Sequence, residues 1–346
     1  MRIKGICYDV GNVMGGNWRP DYNPKTVRRE LEIIRNDLHC NAVRISGQNI
    51  GRLITSAESA LNQGLQVWLS PLLWNKSPET TLGYTVKAAN AVETLRQQSQ
   101  EDIVLSLGSE LTLFMKGIVE GRDLIKRTWN ALRGWRVKGS EYNRSLNSYL
   151  QKVCGSVRKV FHGRITYASL IMEQVDWKIF DFVGVDHYWS EQIKDRYLDM
   201  LKPLFAFGKP VVITEFGFST TSAPAVGGAL SFGNVDNRSR FLHQLPIAGR
   251  LIRPHLSKIY DRDEGLQARR LTDQLKLLDS AGVEGSFIST FVFPINPYND
   301  NPRFDLDRES PSLVKSYGRG KFGKIYPDMT WEPKESFWAV ADYYAR

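Results

Sequence analysis

The chain has 346 residues, of which 42% are hydrophobic and 24% are charged, and it carries a formal net charge of +9. These values are typical of a globular protein with a sizeable core and exclude a low-complexity chain. No segment approaches the roughly 18–20 uninterrupted apolar residues of a transmembrane helix, so no membrane partner is expected.

The N-terminal residues MRIKGICYDVG lack the long apolar segment and the small-residue cleavage site of a secretory signal. The three cysteines, Cys7, Cys40 and Cys154, are too few and odd in number for a disulfide framework. We expect Cys7 and Cys40 to be buried, unreactive thiols. Both observations predict a cytoplasmic protein.

Apolar, strand-like segments recur along the chain, with helical patterns between them. They are 3–11, 40–47, 65–74, 102–110, 164–171, 180–189, 210–218 and 285–294. Apolar residues recur at helical spacing in 24–38 and in 266–282, and the second segment ends on a glycine suited to a C-cap.

Strands that are apolar throughout and alternate with helices indicate a parallel sheet. A doubly wound sheet would carry an early glycine-rich dinucleotide loop, and the sequence has none. Eight strand–helix units therefore favour an α/β protein with a (β/α)8 TIM barrel. We predict a single domain over residues 1–346, with a long loop after the seventh strand at 219–263.

The densest positive charge lies in residues 121–139, where lysines and arginines alternate with Trp129 and Trp135. This pattern is typical of a solvated helix face, and an anionic or aromatic-stacking site is the alternative. No nucleic-acid module accompanies the segment, so we expect no nucleic-acid partner.

In a TIM barrel, the active site forms at the C-terminal ends of the strands. The side chains predicted at those ends are Asp9, Arg44, Glu110, Asp186, His187, Tyr188, Glu215 and Asn296. Glycoside hydrolysis requires a carboxylate pair such as Glu110 and Glu215, because one carboxyl group protonates the leaving oxygen and the other attacks or activates water. Arg44 would keep Glu215 ionised, and Tyr188 would hold it by a hydrogen bond. Taken alone, each glutamate has a structural ion pair as its alternative role.

Glutamates that end strands four and seven resemble the catalytic pair of glycoside hydrolase clan A, a superfamily of retaining glycosidases with a (β/α)8 barrel. The segments VRISG, LGSE, DFVGVDHYW and VVITEFG carry the resemblance, and TEFG is the most specific match. The resemblance implies that Glu215 is the nucleophile, Glu110 the acid/base and Arg44 the arginine beside the nucleophile. It further implies that Tyr188, with His187, forms the polar and aromatic pair of strand six. No cofactor is expected.

The chain is also similar to bacterial barrel proteins labelled "abortive infection" proteins. The segments that carry this similarity are 106–121, 177–189, 260–271, 303–315 and 331–344. The label implies a role in phage defence.

Two positions depart from the clan A pattern. Ser109 stands immediately before the acid/base, where clan A enzymes usually have an asparagine that bonds the sugar 2-hydroxyl group. Strand eight carries Phe291 and Phe293, where many members have a tryptophan that forms the sugar platform. These departures predict unusual sugar contacts with the catalytic pair retained.

Several other residues are candidates for substrate binding. The rings of Trp74 and Trp189 would stack on sugar or pack at the barrel rim, and Asp9 and Asp186 would bind sugar hydroxyl groups or brace Arg44. The histidines show no paired-ligand spacing, so no metal is expected.

The sequence thus predicts a retaining glycoside hydrolase that acts on a small glycoside, an oligosaccharide or a glycosylated metabolite. Transfer to an acceptor other than water would use the same residues. The alternative is a non-catalytic barrel that binds carbohydrate or acts in phage defence.

Overall fold

The computed structural model describes residues 1–11, 17–225, 234–243, 251–318 and 320–346. At its centre is a closed barrel in which each strand pairs in parallel with the next, and the eighth strand pairs with the first. The strands are β1 (Ile3–Asp9), β2 (Ala42–Gly47), β3 (Gln66–Pro71), β4 (Ile103–Ser109), β5 (Arg164–Leu170), β6 (Val183–Asp186), β7 (Val211–Phe216) and β8 (Gly285–Ile288). The predicted (β/α)8 TIM barrel is confirmed, with strands shorter than the apolar segments that predicted them.

Helices surround the barrel. They are α1 (Pro24–Asn36), α2 (Ile50–Leu61), α3 (Pro78–Ser99), α4 (Leu111–Phe114), α5 (Leu124–Val157), α6 (Lys202–Phe205), α7 (Asn237–His243), α8 (Glu264–Ser280) and α9 (Glu335–Tyr344). The predicted helices 24–38 and 266–282 correspond to α1 and α8. Gly282 has a φ of +77°, as a glycine that ends a helix requires. Outside the barrel, β9 (Val314–Ser316) and β10 (Trp331–Pro333) form an antiparallel pair.

Side chains at the helix starts explain where several helices begin. Asn23, Ser77, Asp123 and Asp263 each accept a hydrogen bond from a backbone N–H in the first turn that follows. These caps satisfy N–H groups that have no partner within the helix.

Apolar side chains fill the barrel interior and the layer between strands and helices. The interior set is Ile3, Cys7, Ala42, Trp68, Val104, Phe182, Val212 and Phe287. Trp68 is the largest of these, and its ring centroid lies 4.8 Å from that of Phe182 and 5.1 Å from that of Phe287. The interior is therefore packed below the C-terminal ends of the strands.

The basic segment 121–139 forms the first half of α5. Lys126, Arg133 and Arg136 are exposed, as a solvated helix face requires, and Trp129 is exposed beside them. Arg127 is the exception, because it is fully buried and donates to the backbone oxygen of Leu113. Among the described residues, no helix is long and apolar enough to cross a membrane.

The predicted loop 219–263 lies partly outside the described residues, which omit 226–233 and 244–250. The described part contains α7 and two isolated bridges, Thr221 with Arg262 and Val235 with Leu256. Both bridges join residues within this segment, so its start and its end lie side by side.

Candidate active site

A bulge in β7 aims Glu215 into the barrel mouth. Ile213 pairs with Val185, but the next pair along β6 joins Asp186 to Glu215, so β7 holds one extra residue. A bulge re-aims the side chains at the end of a strand. Here it allows Thr214 to donate to Asp186 at 2.5 Å, while the adjacent Glu215 turns toward β2.

Two donors hold the carboxylate of Glu215. Nη1 of Arg44 donates to Oε1, and the hydroxyl group of Tyr188 donates to Oε2 at 3.0 Å. Arg44 is 1% exposed, and its Nη2 donates to the hydroxyl group of Ser70 at 3.2 Å. A charge-assisted pair with this further support compensates for the removal of a carboxylate from water.

Glu110 follows β4 in a conformation that is rare for a residue with a side chain. Its φ of 46° and ψ of 41° lie in the left-handed region. Its N–H donates to the backbone oxygen of Ala168, and the next N–H, on Leu111, donates to the hydroxyl group of Tyr167. Strain of this kind persists where the surroundings fix the backbone, and it is frequent at functional sites.

Glu173 holds the turn that follows β4 by hydrogen bonds. It is buried and accepts hydrogen bonds from the hydroxyl group of Tyr167 and from the N–H groups of Thr112 and Leu170. The sequence interpretation missed Glu173 and Tyr167. The available signal was an acidic residue within the mainly apolar segment after β5.

Burial and neighbouring acids raise the pKa of Glu110 well above its usual range. Desolvation is the largest cause, followed by the negative charges of Asp186, Glu215 and Glu173. Burial likewise raises the pKa of Asp186 to about 8, although Arg44 opposes the shift. These influences favour the protonated form of Glu110, which is the form that a proton donor needs.

Glu110 and Glu215 line one cavity at the C-terminal end of the barrel. Its other lining residues are Cys7, Asp9, Trp18, Ser46, Leu72, Trp74, Ser109, Phe114, Tyr188, Ser289, Thr290, Phe293 and Pro311. Aromatic pairs form part of the wall: Trp18 packs edge-on against Phe293 at 4.8 Å, and Trp74 against Phe114 at 3.7 Å. Aromatic walls with a few convergent polar groups are typical of small-molecule sites.

The predicted site residues Asp9, Trp74, Ser109, Tyr188 and Phe293 thus meet in this cavity, together with the two glutamates. Arg44 lies directly beneath, bonded to Glu215. Trp18, Phe114 and Cys7 also line the cavity, although they were not among the predicted site residues.

Asp186 lies behind the cavity wall. Its carboxyl group accepts from Thr214 and, at 3.1 Å, from the hydroxyl group of Ser109. Its charge acts on both Glu110 and Arg44. Asp186 thus contacts Thr214 and Ser109 and influences Arg44 only through its charge, so both of its predicted roles, binding of sugar hydroxyl groups and bracing of Arg44, stay predictions.

The structure places His187, Trp189 and Asn296 outside the cavity lining. His187 stacks on Tyr197 at 4.0 Å, its Nε2 lies 2.9 Å from the backbone oxygen of that residue, and burial lowers its pKa to about 4. Trp189 packs near Phe218, with ring centroids 6.2 Å apart.

Asn296 is buried and accepts a hydrogen bond from Arg240. It follows the end of β8 at Ile288 by eight residues, so the predicted strand end at this position is wrong. Strand β6 likewise ends at Asp186, before the residues counted as its end. Within the described ranges, no group of three or more histidine, cysteine, aspartate or glutamate side chains is placed to hold a metal ion.

Known structures share this fold at low sequence identity. A GH113 β-1,4-mannanase matches with a TM-score of 0.59 and 13% identity over 99% of this chain and 98% of that chain. A GH113 β-mannanase from Alicyclobacillus acidocaldarius matches with a TM-score of 0.54 and 15% identity over 99% and 97%. A β-glucuronidase from Ruminococcus gnavus matches with a TM-score of 0.58 and 14% identity over 99% of this chain and 50% of that chain.

No protein-family model matches the chain, and no curated protein matches its sequence. The similarity to "abortive infection" proteins therefore stays a prediction. At identities of 13–15%, the structural matches define the fold alone. The chain shares its (β/α)8 barrel fold with these mannanases and this glucuronidase.

Proposed function

We propose that the protein is a retaining glycoside hydrolase in which Glu215 is the nucleophile and Glu110 the acid/base. The observation that carries this proposal is the electrostatic contrast between two glutamates in one cavity. Arg44 and Tyr188 stabilise the charged form of Glu215, whereas burial and neighbouring acids favour the protonated form of Glu110. Two carboxyl groups with opposed environments are the requirement for acid-assisted glycoside cleavage.

In the first step, a carboxylate oxygen of Glu215 bonds to the anomeric carbon as the bond to the leaving oxygen breaks. Glu110 transfers its proton to that oxygen, and a glycosyl ester on Glu215 results. The ester no longer carries the negative charge that helped to raise the pKa of Glu110. Glu110, now ionised, is stabilised in that form and can serve as a base.

In the second step, Glu110 takes a proton from water while the water oxygen attacks the anomeric carbon. The bond to Glu215 breaks, and its carboxylate returns to Arg44 and Tyr188. An acceptor hydroxyl group in place of water would give transfer by the same residues. The aromatic pairs of the cavity wall offer apolar faces for a sugar ring.

Mass spectrometry after treatment with activated 2-fluoro-glycosides tests the proposal. We expect one sugar to leave a covalent adduct that maps to the peptide containing Glu215, and Glu215→Gln to form none. Glu110→Gln should lower turnover of poorly activated glycosides by about 10²–10⁴-fold, the usual contribution of a general acid.

Glu191→Gln is the matched control, since Glu191 is an exposed carboxylate on the same face with an ion pair to Lys194 at 3.6 Å. It should leave adduct formation and turnover unchanged. Absence of an adduct with every sugar, together with absence of turnover, would favour the non-catalytic carbohydrate-binding barrel.

A further inference from the structure

The carboxyl groups that line the cavity have no basic side chain beside them in the described lining. They are Asp9, Glu110 and Glu215, and no lysine, arginine or histidine accompanies them among the described lining residues. The guanidinium group of Arg44 lies beneath the cavity and is already bonded to Glu215, Ser70 and, more weakly, Cys7. The cavity therefore offers no free counter-ion to an anionic ligand within the described structure.

Asp9 is the acid without a role in the proposed reaction. It ends β1 and accepts hydrogen bonds from the N–H of Gly11 at 2.6 Å and from the hydroxyl group of Ser46 at 3.5 Å. Arg19 influences Asp9 electrostatically, but its guanidinium group is paired with Glu30 at 2.7 Å and lies over the ring of Tyr8. Asp9 forms no ion pair with any described side chain.

The segments outside the described residues add little charge by sequence. Residues 12–16 and 226–233 contain no charged side chain, and the only ones in 244–250 and at 319 are Arg250 and Arg319. Most of the electrostatic character of this barrel mouth is thus set by groups whose positions are described.

A glycone carboxylate would bring a further negative charge into this acidic, partly desolvated cavity. Like charges in low dielectric repel strongly, and a buried anion without a partner is costly. A sugar hydroxyl group has no such cost, because it can donate to the carboxylate of Asp9 and relieve its desolvation.

We propose that the cavity accepts an uncharged glycone, and that Asp9 binds its hydroxyl groups and excludes a glycone carboxylate. The inference rests on the proposed function in that it takes this cavity as the glycone site. The inference excludes glycosides of uronic acids from the substrate class.

Matched pairs of ligands test this inference by binding, without any need for turnover. Each pair is an aldono-1,5-hydroximolactone and the same compound with a carboxylate in place of its C6 hydroxymethyl group, in the gluco, manno and galacto series. Calorimetry should show that the neutral member of at least one pair binds wild-type protein at least about tenfold more tightly, a difference of about 1.4 kcal/mol.

Asp9→Asn keeps the shape and removes the charge, so it should narrow this ratio about tenfold by improving affinity for the carboxylate member. Glu191→Gln, the exposed control, should leave the ratio unchanged. Wild-type protein gives a second measurement that does not depend on the folding of a variant. Burial raises the pKa of Asp9 to about 7, so the ratio should narrow as the pH falls from about 8.5 to about 5.5 and Asp9 gains a proton.

Equal or tighter binding of the carboxylate member would overturn the inference. If neither Asp9→Asn nor the lower pH changes the ratio of affinities for the neutral and carboxylate ligands, Asp9 does not exclude the carboxylate. Absence of binding in all three series would also overturn the inference. A preference for neutral ligands without any fluoro-glycoside adduct and without turnover would retain the uncharged glycone and reject the hydrolase. An adduct formed by a fluoro-uronide would support the hydrolase and overturn the uncharged glycone.

Discussion

At the scale of single residues, Asp186 connects the two glutamates of the candidate site. When Asp186 is ionised, above its pKa of about 8, its charge raises the pKa of Glu110 and also acts on Arg44, the partner of Glu215. Its oxygens are engaged by Thr214 and Ser109, so its position is fixed. A change at Asp186 should therefore move the proton affinity of Glu110 without any contact with the reacting sugar.

Asp186→Asn should shift the alkaline limb of the pH–activity profile toward lower pH. Glu110 must be protonated to act as an acid, so activity falls as the pH rises through its pKa. Above the pKa of Asp186, which is about 8, asparagine removes a neighbouring negative charge and so lowers the pKa of Glu110; we expect the limb to move by about one pH unit. The measurement is kcat/KM against pH with a glycoside that has a poor leaving group.

The substitution should be tolerated, because the hydroxyl group of Ser109 can accept a hydrogen bond from the new amide. Thermal denaturation checks this point. A glycoside with a highly activated leaving group needs little protonation, so its alkaline limb should respond much less. Unchanged limbs for both substrates would contradict the role of Asp186 in setting the pKa of Glu110.

Residue type and chain position were enough to predict that Glu110, Glu215, Arg44 and Tyr188 lie together; their roles stay predictions. His187 and Asn296 were placed by counting to the ends of apolar segments, and those segments outlast β6 and β8 by several residues. The support from Glu173 and Tyr167 was missed. An acidic residue in a mainly apolar segment was the signal for Glu173, but no local pattern connects it to Tyr167 or to the turn after β4.

At the scale of elements, bulges in β4 and β7 position the two glutamates of the candidate site. On β4, Ser106 pairs with Thr166 and Ser109 with Ala168, so β4 holds an extra residue before Glu110. Periodicity could not reveal this, because a bulge shifts the alternation of side chains without changing the apolar character of a strand. Gly108, with a φ of +149°, was the one sequence signal.

A buried charge network, the Lys334 cluster, fastens the elements that follow β7 and β8. Its members are Arg262, Glu264, Asp305, Asp307, Arg308 and Lys334. Lys334 is fully buried and bonds Asp307 at 2.9 Å and the hydroxyl group of Thr220, just beyond β7, at 2.8 Å. The segment of Asp305 and Asp307 continues to Pro311, so the cluster also fixes part of the cavity wall.

Lys334→Met should lower the free energy of unfolding by about 3 kcal/mol or more, because removal of one partner leaves Asp307 buried with reduced compensation. Lys276→Met, in an exposed ion pair with Asp273, is the control and should change it by less than about 0.5 kcal/mol. Urea denaturation measures both values. Equal effects would show that the Lys334 cluster contributes no more than a surface pair.

At the scale of the whole molecule, the barrel was predictable because eight apolar segments alternate with helical ones. The packing that closes the barrel was not predictable. At the seam between β1 and β8, Ile3 pairs with Gly285 and Gly5 with Phe287. The ring of Phe287 occupies the space beside Gly5 and packs against Trp68, so the interior is filled from the seam. This pairing of a large residue on β8 with a glycine on β1 can be recognised only once the first and last strands are known to be neighbours.

Gly285→Ala should therefore destabilise the whole barrel. A methyl group at this position would lie 2.2 Å from Cβ of Ile3 and 2.7 Å from its backbone oxygen, so the seam itself would have to open. We expect a loss of about 2–4 kcal/mol in the free energy of unfolding, as for overpacking against backbone. Gly155→Ala is the matched control: Gly155 lies in α5 with open space around its Cβ position, so alanine should stabilise the helix by about 0.5–1 kcal/mol. Opposite signs for the two glycines in denaturant unfolding support the seam as a closure point, and a neutral Gly285→Ala would contradict it.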